Sequence, residues 1–184
     1  MNFLKTALLG AALSLSAMAA HAATFNFAYS FDPNNTGNGQ PLSVTGSFTG
    51  TEAGGLISNI GNVTLSINGN LFNGPIVVEG ADAAGNWSTG VAPVISANTA
   101  LSNFIFADAD VANHPDDYSN FFYISGGQAF ALDFNVTDAG NNPLQGFEAA
   151  SNASFSVSAV PEPASWALMA AGVGLVALRR RRQA

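Results

Sequence analysis

The 184-residue chain has no cysteine, and between Thr6 and Leu178 it has neither lysine nor arginine. Without Cys there is no disulfide, no thiol nucleophile, no CxxC redox pair and no Cys-ligated zinc. Without basic side chains a nucleic-acid interface lacks the charges that displace phosphate counterions. A P-loop lacks its Lys, a phosphate clamp its Arg, and Schiff-base chemistry its amine. Histidine is almost as scarce. Of the two, His21 lies in a segment marked for removal, so only His114 could serve an internal ion pair. Charged residues make up 9% of the chain, against roughly 25% in an ordinary soluble domain.

The five bases that do exist are Lys5, Arg179, Arg180, Arg181 and Arg182, and all twelve acids lie between them. The formal net charge of −7 therefore hides a purely acidic middle. Residues 1–22 have the form of a secretory signal peptide. Lys5 supplies the positive start, Ala7 to Ala20 the apolar stretch, and Ala20-His21-Ala22 the small-residue cleavage site, which places the new N-terminus at Ala23. A transmembrane anchor is the alternative, and the stretch is short for one.

The other end has three parts in order. Val160, Pro161, Glu162 and Pro163 come first, the uncharged run 164–178 next, and the Arg cluster 179–182 last. Helical rise gives the run about 22 Å, short of the roughly 30 Å hydrocarbon core. Trp166 at one end and the arginines at the other suit the two interfaces, and the arginines place everything before Ala164 on the outer side.

This tail resembles the PEP-CTERM sorting signal of exosortase substrates. The likeness rests on Pro161-Glu162-Pro163, the apolar helix 164–178 and Arg179 to Arg182, and it assigns residues 160–184 to the sorting signal. It implies export by the Sec machinery, transient anchoring in the inner membrane, and recognition and cleavage by exosortase near the motif. It implies release to the cell surface or exterior of a Gram-negative bacterium that makes exopolysaccharide and lives in biofilms. A second likeness lies in Gly46-Ser47-Phe48-Thr49-Gly50-Thr51 followed by Leu56-Ile57-Ser58, which is similar to an opening found in many PEP-CTERM proteins. Several of those carry an Asp-rich, calcium-loop-like insert between the two pieces. Here the insert is Glu52-Ala53-Gly54-Gly55, with a single acid, so group membership carries over and the site does not.

The body, residues 23–159, is the size of one domain. No amphipathic helix pattern of useful length occurs in it. Period-two alternation does. Phe25, Phe27, Tyr29 and Phe31 alternate with small or polar residues, as do Leu42, Val44, Gly46 and Phe48. So do Val63, Leu65 and Ile67, then Phe130, Leu132, Phe134 and Val136, then Phe155, Val157 and Ala159. One apolar face and one hydroxyl or amide face is the pattern of half-buried antiparallel strands. Further strands are expected at 74–79, 91–96, 103–108 and 120–125, between turns such as Asn68-Gly69 and Gly126-Gly127. The expected fold is all-β: an antiparallel β-sandwich of nine or ten strands, with a jelly roll as one way to wind it. All phenylalanines but Phe3 remain after signal removal to fill the space between the sheets.

Candidate sites are few. Asp108, Asp110, Asp116 and Asp117, with His114 among them, offer oxygens that suit calcium. Their spacing is not that of an EF-hand, and a solvated acidic loop is the alternative. No other cofactor is expected. Trp87 lies in a Gly-bounded polar stretch and, with Tyr29, Tyr118 and Tyr123, suggests a lectin-like surface, since sugars stack on aromatic faces. A Trp capping the core is the competing reading. A lone His excludes an ordinary catalytic zinc, no Gly-x-Ser-x-Gly elbow occurs, and the sequence places no two acids at a glycosidase separation.

The expected function is therefore non-enzymatic: a structural or adhesive protein of the extracellular polymer or biofilm matrix, with no nucleic-acid partner. Binding of extracellular carbohydrate, calcium-assisted or not, is the alternative, and a secreted glycan-acting enzyme is the third. The acidic surface also suggests divalent cations bridging it to acidic polysaccharide.

Overall fold

A computed structural model describes residues 22–72, 74–108, 120–137 and 142–161. The segment holding Lys5 and Ala20, and the tail from Glu162 and Pro163 through 164–178 to Arg182, lie outside the described residues. No described helix is long and apolar enough to cross a membrane.

Among the described residues eleven strands form two antiparallel sheets. They are β1 (Ala23–Phe31), β2 (Leu42–Ala53), β3 (Leu56–Ile67), β4 (Asn70–Leu71), β5 (Val77–Ala81), β6 (Trp87–Ser88), β7 (Phe104–Ala107), β8 (Asn120–Ser125), β9 (Gln128–Thr137), β10 (Pro143–Ala149) and β11 (Phe155–Ala159). The first sheet has the order β11-β1-β2-β3-β4 and the second β10-β9-β8-β7-β5-β6. The all-β sandwich is as the alternation indicates. Successive strands stay within one sheet, where a jelly roll would alternate them between sheets; they run as a meander except that β6 pairs on the far side of β5, and among the described strands β11 alone returns to the first sheet.

Large apolar side chains from both sheets meet in the interior between them. Phe25, Phe27, Tyr29 and Phe31 of β1, with Val44, Phe48, Leu65 and Ile67, face Phe104, Phe106, Phe122 and Ile124. Ring centroids of Phe27 lie 5.4 Å from Phe106 and 6.1 Å from Phe122, and Tyr29 lies 5.7 Å from Phe122. Each such buried side chain is worth about 1.5–3 kcal/mol in area removed from water. Crowding at this layer fixes two glycines. A Cβ on Gly46 would overlap the Thr64 carbonyl oxygen and stand 2.6 Å from the Phe27 ring, and one on Gly146 would stand 2.7 Å from the Phe31 ring.

Four expectations need correction. Residues 91–96 do not form a strand: Pro93 lacks a donor, and only single bridges form, Val94 to Asn103 and Ile95 to Ile57. The β3 strand starts seven residues before Val63, because left-handed Asn59 and Asn62 form bulges in it rather than ending it. The β10 strand has no alternation to reveal it, since Gly146 and Glu148 point inward while Phe147 points outward. The faces of β9 are inverted. Ala129, Ala131 and Asp133 are buried inward, and Phe130, Leu132 and Phe134 lie outward. The rings of β1 and β8 already fill the interior, leaving room opposite only for alanines.

A polar clamp ties β10 to the first sheet. The Tyr29 hydroxyl donates to Glu148 Oε1 at 2.8 Å, and Glu148 Oε2 accepts from the Asp32 amide and from Asn35 Nδ2, each at 3.0 Å. Burial first, and then the Glu148 carboxylate, push the Tyr29 phenol well above its ordinary pKa. Gly37 N donates to Gln145 O at 3.2 Å, so the loop after β1 covers part of the β10 edge.

Candidate functional site

The outer face of the first sheet is polar, but that of the second is aromatic. Strand register builds one row across it: Glu79, Ile105, Tyr123, Phe130 and Phe147 stand opposite one another in turn. A second row runs through Val77, Ala107, Phe121 and Leu132. Ile105, Ala107 and Phe121 are buried, with Trp87, Tyr123, Phe130 and Leu132 half-buried around them. Phe134 and Phe147 are each 52% exposed. Ring centroids step from Trp87 to Tyr123 at 5.3 Å, to Phe130 at 5.9 Å and to Phe147 at 5.5 Å. These side chains form a second, smaller apolar cluster on the outer face, and its exposed part lies at the β9–β10 end, at Phe134 and Phe147.

Trp87 does not cap the interior between the sheets. It sits opposite Ala81 at the sheet edge, and its ring leans on Tyr123 at 52°. The turn before it is held by Asp82, whose Oδ1 accepts from the amides of Ala84 at 2.8 Å and Asn86 at 2.9 Å. Those bonds, from Asn86 foremost, hold the exposed Asp82 carboxyl below its ordinary pKa. A cleft of about 470 Å³ opens beside this turn, lined among others by Asp82, Leu101, Ser102, Asn103, Ser125 and Gly126. Asn103 is fixed there: its Oδ1 accepts from Ala81 N at 3.0 Å and Ser125 Oγ at 2.9 Å, and its Nδ2 donates to Ala81 O at 2.8 Å. The polar cleft and the aromatic strip are thus neighbours, since Ala81 of β5 and Ser125 of β8 line the cleft and the strip crosses the same two strands.

Of the four acids considered for calcium, Asp110, Asp116 and Asp117 lie outside the described residues, as do His114 and Tyr118. Asp108 is described and half-buried. Its Oδ2 accepts from Asn120 Nδ2 at 2.6 Å, and its amide donates to Asn120 O at 3.1 Å. Asn120 stands opposite Asp133, a fully buried carboxylate whose Oδ2 accepts from Asn70 Nδ2 at 2.8 Å. Sequence reasoning passed over Asp133 because the alternation of β9 put it on the polar face. Among the described residues no three His, Asp or Glu side chains are grouped to hold a metal ion.

The two ends of the described chain meet. Ala22 is exposed and Ala23 begins β1, while Phe25 stands opposite Ala159 of β11. Val160 is 38% exposed, and its amide donates to the Thr24 carbonyl at 2.8 Å, one step beyond β11. Pro161 follows, exposed.

No curated protein and no solved structure matches the chain. Residues 159–183 match the PEP-CTERM protein-sorting motif. The match begins one residue before the tail boundary read from the sequence, at the last residue of β11.

Proposed function

We propose, from the premise that this is an exported protein sorted by exosortase through its PEP-CTERM motif, that the mature domain is a non-enzymatic, structural or adhesive component of the extracellular polymer matrix. In this reading it works in the biofilm or exopolysaccharide layer of a Gram-negative cell and holds polysaccharide on the outer face of the second sheet. The observation that carries the contact is the strip of Trp87, Tyr123, Phe130 and Phe147 running beside the cleft of Asp82, Asn103 and Ser125. Aromatic faces take the C–H faces of sugar rings, and a few fixed polar groups beside them take hydroxyls. With twelve acids and no base from Ala23 to Pro163, the surface favours neutral sugars. Acidic polymers would need divalent cations as bridges.

Retention on immobilised neutral polysaccharides, compared with Trp87→Ala, tests this reading. Equal retention of both proteins, or none of either, counts against it. Calcium assistance is the second reading, and it rests on the run of acids Asp108, Asp110, Asp116 and Asp117 in the sequence. It requires the melting temperature to rise with added calcium and fall with chelator, and an unchanged melt in both removes it.

A further inference from the structure

The matched sorting motif starts at the last residue of β11. Ala159 belongs both to the matched motif and to β11, and the next residue extends the pairing by one bond, the Val160 amide donating to the Thr24 carbonyl at 2.8 Å. Pro161 has no amide hydrogen, so the ladder stops there. Only Pro161, Glu162 and Pro163 separate it from the apolar run. Three residues span at most about 10 Å when fully extended. A processing enzyme at the membrane therefore meets its substrate against the wall of the sandwich, with part of the motif's backbone already paired.

We infer that the ladder between Thr24 and Val160 positions the sorting motif, and that peeling of its last residues sets the rate at which exosortase takes the chain. This rests on the exosortase reading. A processing site binds its peptide extended, through main-chain groups, and groups paired to β1 cannot pair with it. The end of β11 is built to peel. Ser158, Ala159 and Val160 are exposed, so ladder bonds alone hold them. Upstream, Phe155 is buried and Val157 packs against the core, so opening stops there without unfolding the domain.

The test uses the full chain in a host carrying the processing enzyme, with loss of the tail followed after pulse labelling. Asn26 and Ser158 stand opposite each other with exposed side chains, and paired residues of this kind are about 5.5 Å apart at Cα, within disulfide reach. The chain has no other Cys, so Asn26→Cys with Ser158→Cys forms one defined bond after export. The oxidised double variant is expected to be processed about tenfold more slowly, the factor that about 1.4 kcal/mol of ladder pairing corresponds to. Reductant should restore the wild-type rate. A second variant inserts a short Gly/Ser segment between Ser158 and Ala159, carrying the whole motif clear of the ladder, and should be processed faster than wild type. Equal rates for wild type, cross-linked and inserted chains overturn the ladder inference and leave the sorting reading standing. No processing of any chain, wild type included, overturns both.

Discussion

Replacing Tyr29 with Phe removes one hydroxyl from the clamp between the sheets and leaves the ring packing in place. The lost bond is the 2.8 Å donation to Glu148 Oε1. A hydrogen bond to a charged group contributes about 1.5–3 kcal/mol. Glu148 is half-buried and keeps its bonds from the Asp32 amide and Asn35, so the lower end applies, about 1.5 kcal/mol. For a domain of this size that is a fall in Tm of about 5 °C. The pH dependence supplies a sharper check. The Tyr29 pKa is raised in the folded state, by burial and then by Glu148. Below about pH 10 the phenol is protonated both folded and unfolded, and its contribution is constant. Above that the unfolded phenol ionises while the folded one holds its proton. The unfolded state then binds fewer protons, so wild-type stability falls as pH rises. The gap between wild type and Tyr29→Phe should be full at pH 8 and shrink by pH 11. Other tyrosines titrate equally in both proteins and cancel. Urea unfolding of both at the two pH values measures it. No gap at pH 8, or one unchanged at pH 11, refutes the clamp as described.

Other perturbations follow from the same packing. Gly146→Ala drives a methyl group into the Phe31 ring and should cost about 1–3 kcal/mol by overpacking, read as a lower urea midpoint with an unchanged slope. Phe106→Ala empties the middle of the ring cluster and should cost about 3–5 kcal/mol in the same assay. Phe134→Ser, on an exposed outward position, should change stability by no more than about 0.5 kcal/mol. A large loss there would contradict the inverted faces of β9.

Much of the first sheet was legible because its strands follow one rule. In β1 every second residue is a large apolar one and all of them are buried. The Asn68-Gly69 and Gly126-Gly127 turns sit where their left-handed residues require. The second sheet breaks the rule, since it carries apolar side chains on both faces. The run Phe121-Phe122-Tyr123-Ile124 holds that signal, being continuous rather than alternating. Alternation in β9 was real, but its direction depended on which face had space, and that is decided by rings from β1 and β8. Trp87 was recognisable as a site candidate from its polar surroundings. Its partners Tyr123, Phe130 and Phe147 come from strands distant in sequence, and only register brings them into a row. The sorting motif was legible in full because its parts are contiguous. Its entanglement with β1 was not, because Thr24 and Val160 are brought together only by the fold.

In the proposed reading the basic ends are addresses removed in turn, leaving a domain without Lys or Arg. Mass spectrometry of the protein recovered from the cell exterior tests it most directly. A chain that begins at Ala23 and lacks Arg179 to Arg182 is expected. An extracellular form that still carries those four arginines would contradict it.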